Sequence, residues 1–191
     1  MPGGGAPVDW LIVGLGNPGP QYEGTPHNVG FEVARSLIER FGLGRPRRRW
    51  SGLVSDGRAG PGGPRVAILM PQTYMNDAGR SVGPARGELR LPLARLIVVH
   101  DDIDLPFGDI RVRLGGGLAG HNGLRSVRAA VGGPDFRRVR IGVGRPPTTD
   151  PDRVAAYVLG RFREPPEEVR AVIARAADAT AELLQAAADG A

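Results

Sequence analysis

The sequence predicts an α/β sandwich, a single domain over residues 1–191 in which a twisted mixed, mostly parallel sheet is flanked by helices on both faces. Three observations predict it. Apolar runs rich in β-formers alternate along the chain with stretches of helical periodicity. With 191 residues, 41% of them hydrophobic, there is enough apolar surface for one core. No apolar run approaches the roughly 20 residues that span a bilayer. Residues 1–7, rich in Gly and Pro, lack the basic region and apolar centre of a secretion signal, so a flexible start and a cytoplasmic location are expected.

Each element has its own signal. Val8 to Gly14 reads as a buried strand running into the loop Gly14-Leu15-Gly16-Asn17-Pro18-Gly19. Val29, Val33, Leu37, Ile38 and Phe41 share one face of a helix that Asn28 can cap and Gly42 can end. Arg45 to Arg49, broken by Pro46, reads as an exposed turn. Leu53 to Ala59 and Arg65 to Met70 are expected to pair as strands through the Gly/Pro cluster between them. Arg95 to His100 is a buried strand. Ile110 to Leu114 alternates apolar residues with Arg and is expected to be half exposed. Gly115 to Gly123 forms a glycine-rich loop leading into a helix with Leu124, Val127 and Val131, and Arg138 to Val143 alternates as a further strand. A short helix is expected at Val154 to Phe162. A long amphipathic one follows within 164–191, marked by Val169, Val172, Ile173, Ala176, Ala177, Leu183 and Leu184.

Composition excludes several chemistries. Cysteine is absent, which removes disulfides, thiol nucleophiles and Cys-based zinc sites. Lysine is absent too, so a Schiff base and the P-loop lysine are excluded. All 25 basic residues are Arg, and against 20 acidic residues the net charge is +5. Such a surplus fits a phosphate-bearing partner, because guanidinium pairs bidentately with phosphate, and fits a generic basic surface equally.

Three motifs need weighing. Gly14, Gly16 and Gly19 satisfy the dinucleotide fingerprint, which would make the chain a nucleotide-binding oxidoreductase. However, Pro18, Pro20 and Pro26 keep the chain extended where that fingerprint needs a helix to open. Gly79-Arg80-Ser81-Val82-Gly83 matches the nucleophile elbow of serine hydrolases, with Asp104 and His121 following in order. Here the strand stops at Pro71 and Ser81 falls in a helix-like stretch, where a solvent-facing serine is the plainer reading. His27, His100 and His121 with Asp101, Asp102 and Asp104 lack any metal-binding histidine spacing, so no metal is expected.

Asn17, His27, Asn76, Asp101 and Asn122 fall at strand ends or in adjoining loops, where open α/β sheets bind ligands. Singly, each has an ordinary explanation as a turn residue, cap or partner of backbone donors. The stretches around them are more specific: Leu11 to Gly19 (LIVGLGNPG), Tyr22, Thr25 to Phe31 (TPHNVGF), Pro71 to Asn76 (PQTYMN), His100 to Pro106 (HDDIDLP), Gly115 to Ser126 (GGGLAGHNGLRS) and Arg138 to Gly144 (RVRIGVG). With these the chain resembles the bacterial peptidyl-tRNA hydrolase family, nearly without gaps over residues 8–163.

The resemblance implies hydrolysis of the ester between a peptide and the 3'-terminal adenosine of tRNA by a cytoplasmic monomer without metal or organic cofactor. It places the catalytic base on His27, a role suited to an imidazole titrating near working pH, and its supporting carboxylate on Asp101. Asn17 falls on the asparagine that recognises a peptidyl rather than a free aminoacyl group. Asn76 and Asn122 fall on residues holding the scissile end and the water, with Asn76 the guess for the oxyanion partner. Tyr22, Tyr74 and Gly117 fall on the groove for the CCA end, and Arg113 and Arg140 on a basic pair at the acceptor stem. Arg125, Arg128, Arg137 and Arg138 extend that patch or are merely solvated. Independently of the resemblance, the glycines at 115–117 and the helix start near His121 make a ready anion site. Leu118 departs from the polar residue some members carry, and the sequence ends at Ala191 without the basic tail of many members. A non-catalytic RNA-binding module with the same groove is the alternative from another class.

Overall fold

The computed structural model describes residues 6–189, so the expectation of a flexible start falls mostly outside the described residues. The apolar runs become seven strands: β1 (Trp10–Gly14), β2 (Arg47–Arg49), β3 (Gly52–Arg58), β4 (Arg65–Pro71), β5 (Leu96–Asp102), β6 (Ile110–Leu114) and β7 (Arg137–Gly142). One sheet holds them in the order β2-β3-β4-β1-β5-β7-β6. β4, β1, β5 and β7 run parallel. β3 and β2 add antiparallel at one edge and β6 at the other.

Five α-helices, α1 (Val29–Arg40), α2 (Gly79–Leu89), α3 (Asn122–Val131), α4 (Pro151–Leu159) and α5 (Pro166–Asp189), complete the sandwich. Neighbouring residues on a strand face opposite ways, so a strand covered on both sides must be apolar at every position. Trp10, Ile12, Ile97 and Val99 meet Phe31 and Leu37 of α1 and Val172, Ala176 and Leu184 of α5. Leu11, Val13, Leu96 and Val98 meet Val82 and Ala85 of α2 and Leu124 and Val127 of α3. Helix α1 stops where expected. Gly42 takes φ 61°, its N–H bonds to Glu39 and that of Leu43 to Ile38, the paired bonds of a Schellman ending.

Several expectations are corrected. Arg47–Arg49 is an edge strand paired with β3 and not a turn, although its side chains are exposed as foreseen. Ser81 does not face solvent: it is fully buried inside α2, the helix that packs against α3. The short helix starts at Pro151 and not Val154, because Asp150 caps it by accepting the Asp152 N–H and proline suits the first helical turn. Asn28 occupies the N-cap position of α1 but makes no capping bond.

The glycines of the dinucleotide-like fingerprint pack the helix onto the sheet. A Cβ on Gly14 would stand 2.2 Å from the Gly30 carbonyl oxygen, and one on Gly16 would stand 2.8 Å from the Phe31 ring. Gly14 and Gly16 let α1 lie against the end of β1; no α-helix opens on these glycines, but the chain after Gly19 is not extended throughout as expected, because Pro20–Tyr22 and Pro26–Asn28 each form a single 3-10 turn.

Candidate active site

The chain leaves β1, returns one position away as β4, then crosses over to β5 on the other side of β1. Loops part at such a reversal, and the space beyond the carboxyl ends of the strands becomes a crevice. Here it is a cavity of about 490 Å³. Asn17, Tyr22, His27, Tyr74, Asn76, Asp101, Gly117, Asn122 and Arg140 all line it, and Pro151, Val154 and Val158 of α4 form an apolar wall. Helix α4 is anchored by the Tyr157 hydroxyl, which donates to the Val143 carbonyl at 2.7 Å.

Asp101 is the hub. It is buried near the end of β5, and both carboxylate oxygens are engaged: Oδ2 lies 2.8 Å from His27 Nδ1 and Oδ1 lies 2.8 Å from His121 Nε2. Burial opposes its charge, but the two histidines hold its carboxyl well below the usual range, so it stays ionised. An ionised carboxylate only accepts, so each facing nitrogen carries a proton. His27 therefore donates through Nδ1, and in the neutral ring Nε2 is the unprotonated nitrogen, with no protein partner among the described residues. Burial alone would lower the His27 pKa, but the charge and hydrogen bond of Asp101 outweigh it and raise the pKa above 6.5.

His121 was not foreseen as a functional residue. Its Nδ1 accepts the N–H groups of Gly123 and Leu124 at 3.1 and 3.3 Å, capping α3, while Nε2–H reaches Asp101. The signal available in the sequence was a histidine just before the first helical residue after a glycine loop. The third histidine, His100, is buried. Its Nδ1–H donates to the Asp101 carbonyl, and burial pushes its pKa down to about 3, so it stays neutral. His27, Asp101 and His121 are the only cluster among the described residues close enough to share a metal ion, but both nitrogens point N–H bonds at the carboxylate.

Asn28, buried, secures the loop carrying Asn17. Its amide accepts the Asn17 N–H at 2.8 Å and donates to the Asn17 carbonyl at 2.9 Å. The Asn17 Oδ1 accepts the Met75 N–H at 2.7 Å, which fixes the orientation of its amide. Its Nδ2 has no protein partner among the described residues, so Asn17 can offer both amide N–H donors to a ligand. Asn76 and Asn122 are exposed at the rim, and Tyr74 is 61% exposed.

The arginines divide by task. Arg140 lines the crevice with its Nε held at 2.8 Å by Asp102. Arg113 lies outside the cavity on β6, and its register partner is Arg138, with Arg140 opposite Arg111. Arg138 is buried and donates to the carbonyls of Gly115 and Gly117, so it pins the glycine loop and does not extend an exposed patch. Arg137 lies over the Trp10 ring and donates to Ala94, a structural role. Arg125 and Arg128 are exposed on α3.

Fold and site together define an α/β protein that holds a histidine against a buried carboxylate in a crevice with basic residues at its edge. The chain belongs to the peptidyl-tRNA hydrolase family, a family of ester-hydrolysing enzymes: the family model described as Peptidyl-tRNA hydrolase matches residues 11–191. A peptidyl-tRNA hydrolase of Mycobacterium sp. (strain KMS) is 51% identical over 177 residues, covering 91% of this chain and 89% of its own. Another from Syntrophotalea carbinolica is 49% identical over 152 residues, covering 80% and 78%. The crystal structure of peptidyl-tRNA hydrolase from Acinetobacter baumannii superposes with a TM-score of 0.81 at 35% identity, covering 94% of this chain and 91% of that one. Among the described residues no helix is long and apolar enough to cross a membrane.

Proposed function

We propose that this chain cleaves the ester between a peptide and the 3'-terminal ribose of peptidyl-tRNA, with His27 as general base. Water hydrogen-bonded to Nε2 attacks the ester carbonyl and gives its proton to the imidazole. The resulting imidazolium is stabilised across Nδ1 by Asp101, whose charge is held in place by His121. Collapse of the tetrahedral intermediate expels the ribose oxygen, which takes the proton back from Nε2 and leaves as free tRNA. Asn17 donates Nδ2–H to a peptide carbonyl, Asn76 stabilises the oxyanion, and Asn122 holds the water. Tyr22, Tyr74 and Gly117 bound the groove for the CCA end, and Arg113 and Arg140 take the acceptor-stem phosphates. We take the working form to be a monomer acting in the cytoplasm, where translation runs.

The observation that carries this reading is the 2.8 Å contact from His27 Nδ1 to Asp101, which leaves the opposite ring nitrogen free. The test is release of tRNA from an N-blocked aminoacyl-tRNA. His27→Ala is expected to retain folding and tRNA binding while turnover falls by about 10² or more. Full activity of that variant would overturn the assignment of the base, and binding without release by the unaltered protein would favour a non-catalytic RNA-binding module.

A further inference from the structure

Arg138 is 2% exposed, so it is not itself a contact for RNA. Its two terminal nitrogens donate to the loop after β6, Nη1 to the Gly117 carbonyl at 2.7 Å and Nη2 to the Gly115 carbonyl, while Nε has no partner among the described residues. Burial first, and then the guanidinium groups of Arg113 and Arg140, work against its charge. Asp102, the carboxylate that favours that charge, is bonded to Arg140. A buried cation without a paired anion is costly, so the fork stands here against the electrostatics of the fold and not because of them.

What the fork secures is the direction of two peptide groups. Among the described residues every peptide bond is trans, and in a planar trans peptide the N–H points opposite to the carbonyl. With the carbonyls of Gly115 and Gly117 turned to Arg138, the N–H groups of Gly116 and Leu118 point away from it. Neither donates to an acceptor among the described residues. Arg113 lies beside them, since a Cβ on Gly116 would collide with its guanidinium. Gly117 and Leu118 line the catalytic crevice. Otherwise the loop is held near its ends, by the Gly115 N–H on the Phe136 carbonyl at 3.0 Å, the His121 N–H on the Leu118 carbonyl at 2.9 Å, and the Leu118 side chain packed on the core under α2 and α3. Without the fork, the peptide planes between are free to turn.

We propose, resting on the hydrolase reading above, that Arg138 is a positioning residue for the substrate: by holding two carbonyls inward it presents the N–H groups of Gly116 and Leu118, beside Arg113, as a donor pair for a phosphate oxygen of the tRNA. Charge selects this ligand. Three guanidinium groups, of Arg113, Arg138 and Arg140, surround the loop against two carboxylates, Asp102 and Asp135, and only Arg140 is paired with one of them. Backbone N–H groups suit a phosphate, because they donate to an anion without a flexible side chain having to be ordered.

The test follows the backbone amides directly. In isotope-labelled protein the Gly116 and Leu118 amide resonances are recorded as inorganic phosphate, or separately deacylated tRNA, is added to the unaltered chain and to Arg138→Lys, which keeps the charge but not the fork. Both amides are expected to shift in the unaltered protein with either ligand. In Arg138→Lys the affinity for each falls about three- to tenfold, whereas the slope of log K against log salt for tRNA stays as it was, because Arg113 still meets the same phosphate. Amides that stay still with both ligands in the unaltered protein would overturn the donor pair, whether or not the variant folds. Arg138→Lys binding as tightly as the unaltered chain would overturn it too, since charge and not geometry would then be what Arg138 supplies. Shifts with inorganic phosphate alone would assign the loop to a free anion and overturn its part in substrate binding. Release of tRNA from an N-blocked aminoacyl-tRNA is measured alongside; its absence in the unaltered protein overturns the hydrolase reading, whereas the amide shifts judge the loop without turnover.

Discussion

At His27, burial and a carboxylate act in opposite directions on one imidazole. Asp101 prevails, so the ring holds its proton to a higher pH than a free histidine. With His27 as the proposed base, active only when unprotonated, kcat/KM is expected to rise with pH through that raised pKa and then level. Asp101→Asn removes the charge that raises the pKa and leaves the burial that lowers it. The acid limb of the pH profile is then expected to move to lower pH, while the plateau falls by about 10² or more because the tautomer is no longer fixed. An unmoved limb would show that Asp101 does not set the titration. The pairing was half legible in the sequence. Histidine and aspartate stood out by chemical type and family position, but His121 bonding to the same carboxylate links residues 20 apart through a loop of no regular period.

Among the elements, the join between α1 and β1 decides where His27 stands, because His27 lies in the short turn that enters this helix. Backbone meets backbone there: a Cβ on Gly30 would stand 2.5 Å from the Val99 carbonyl oxygen and 2.6 Å from the Leu15 nitrogen. Gly30→Ala is expected to destabilise the fold by about 1–3 kcal/mol and to lower the thermal midpoint by several degrees, as read by calorimetry or circular dichroism. An unchanged midpoint would mean the helix can lift without cost. Element identity was legible wherever apolar periodicity was long, as in α1, α5 and the central strands. It failed at Arg47–Arg49, where an edge strand exposes every side chain and carries no apolar pattern, so three arginines look like a turn. It slipped at α4, whose first turn is specified by Asp150-Pro151 capping chemistry and not by hydrophobic spacing.

Over the whole molecule, Arg140 lines the crevice, and Arg48, Arg49 and Arg80 line a separate groove. If phosphates bind at Arg113 and Arg140, tRNA affinity falls steeply with salt, and Arg113→Ala reduces the slope of log K against log salt by about one. Filter binding at several salt concentrations measures this, and a flat dependence would argue against a phosphate clamp. The chain by itself determined the layered α/β architecture, because alternate faces of a buried strand must both be apolar, and it determined the chemical inventory by lacking cysteine and lysine. Only the tertiary structure decided which members of that inventory cooperate: Asp101 between two histidines, Asn17 with its amide oriented by the Met75 N–H, and Arg138 turned inward to the glycine loop. The physical reason is that hydrophobic patterning specifies which face of an element is buried, whereas hydrogen bonds depend on distances between atoms that only the packed sheet brings within reach.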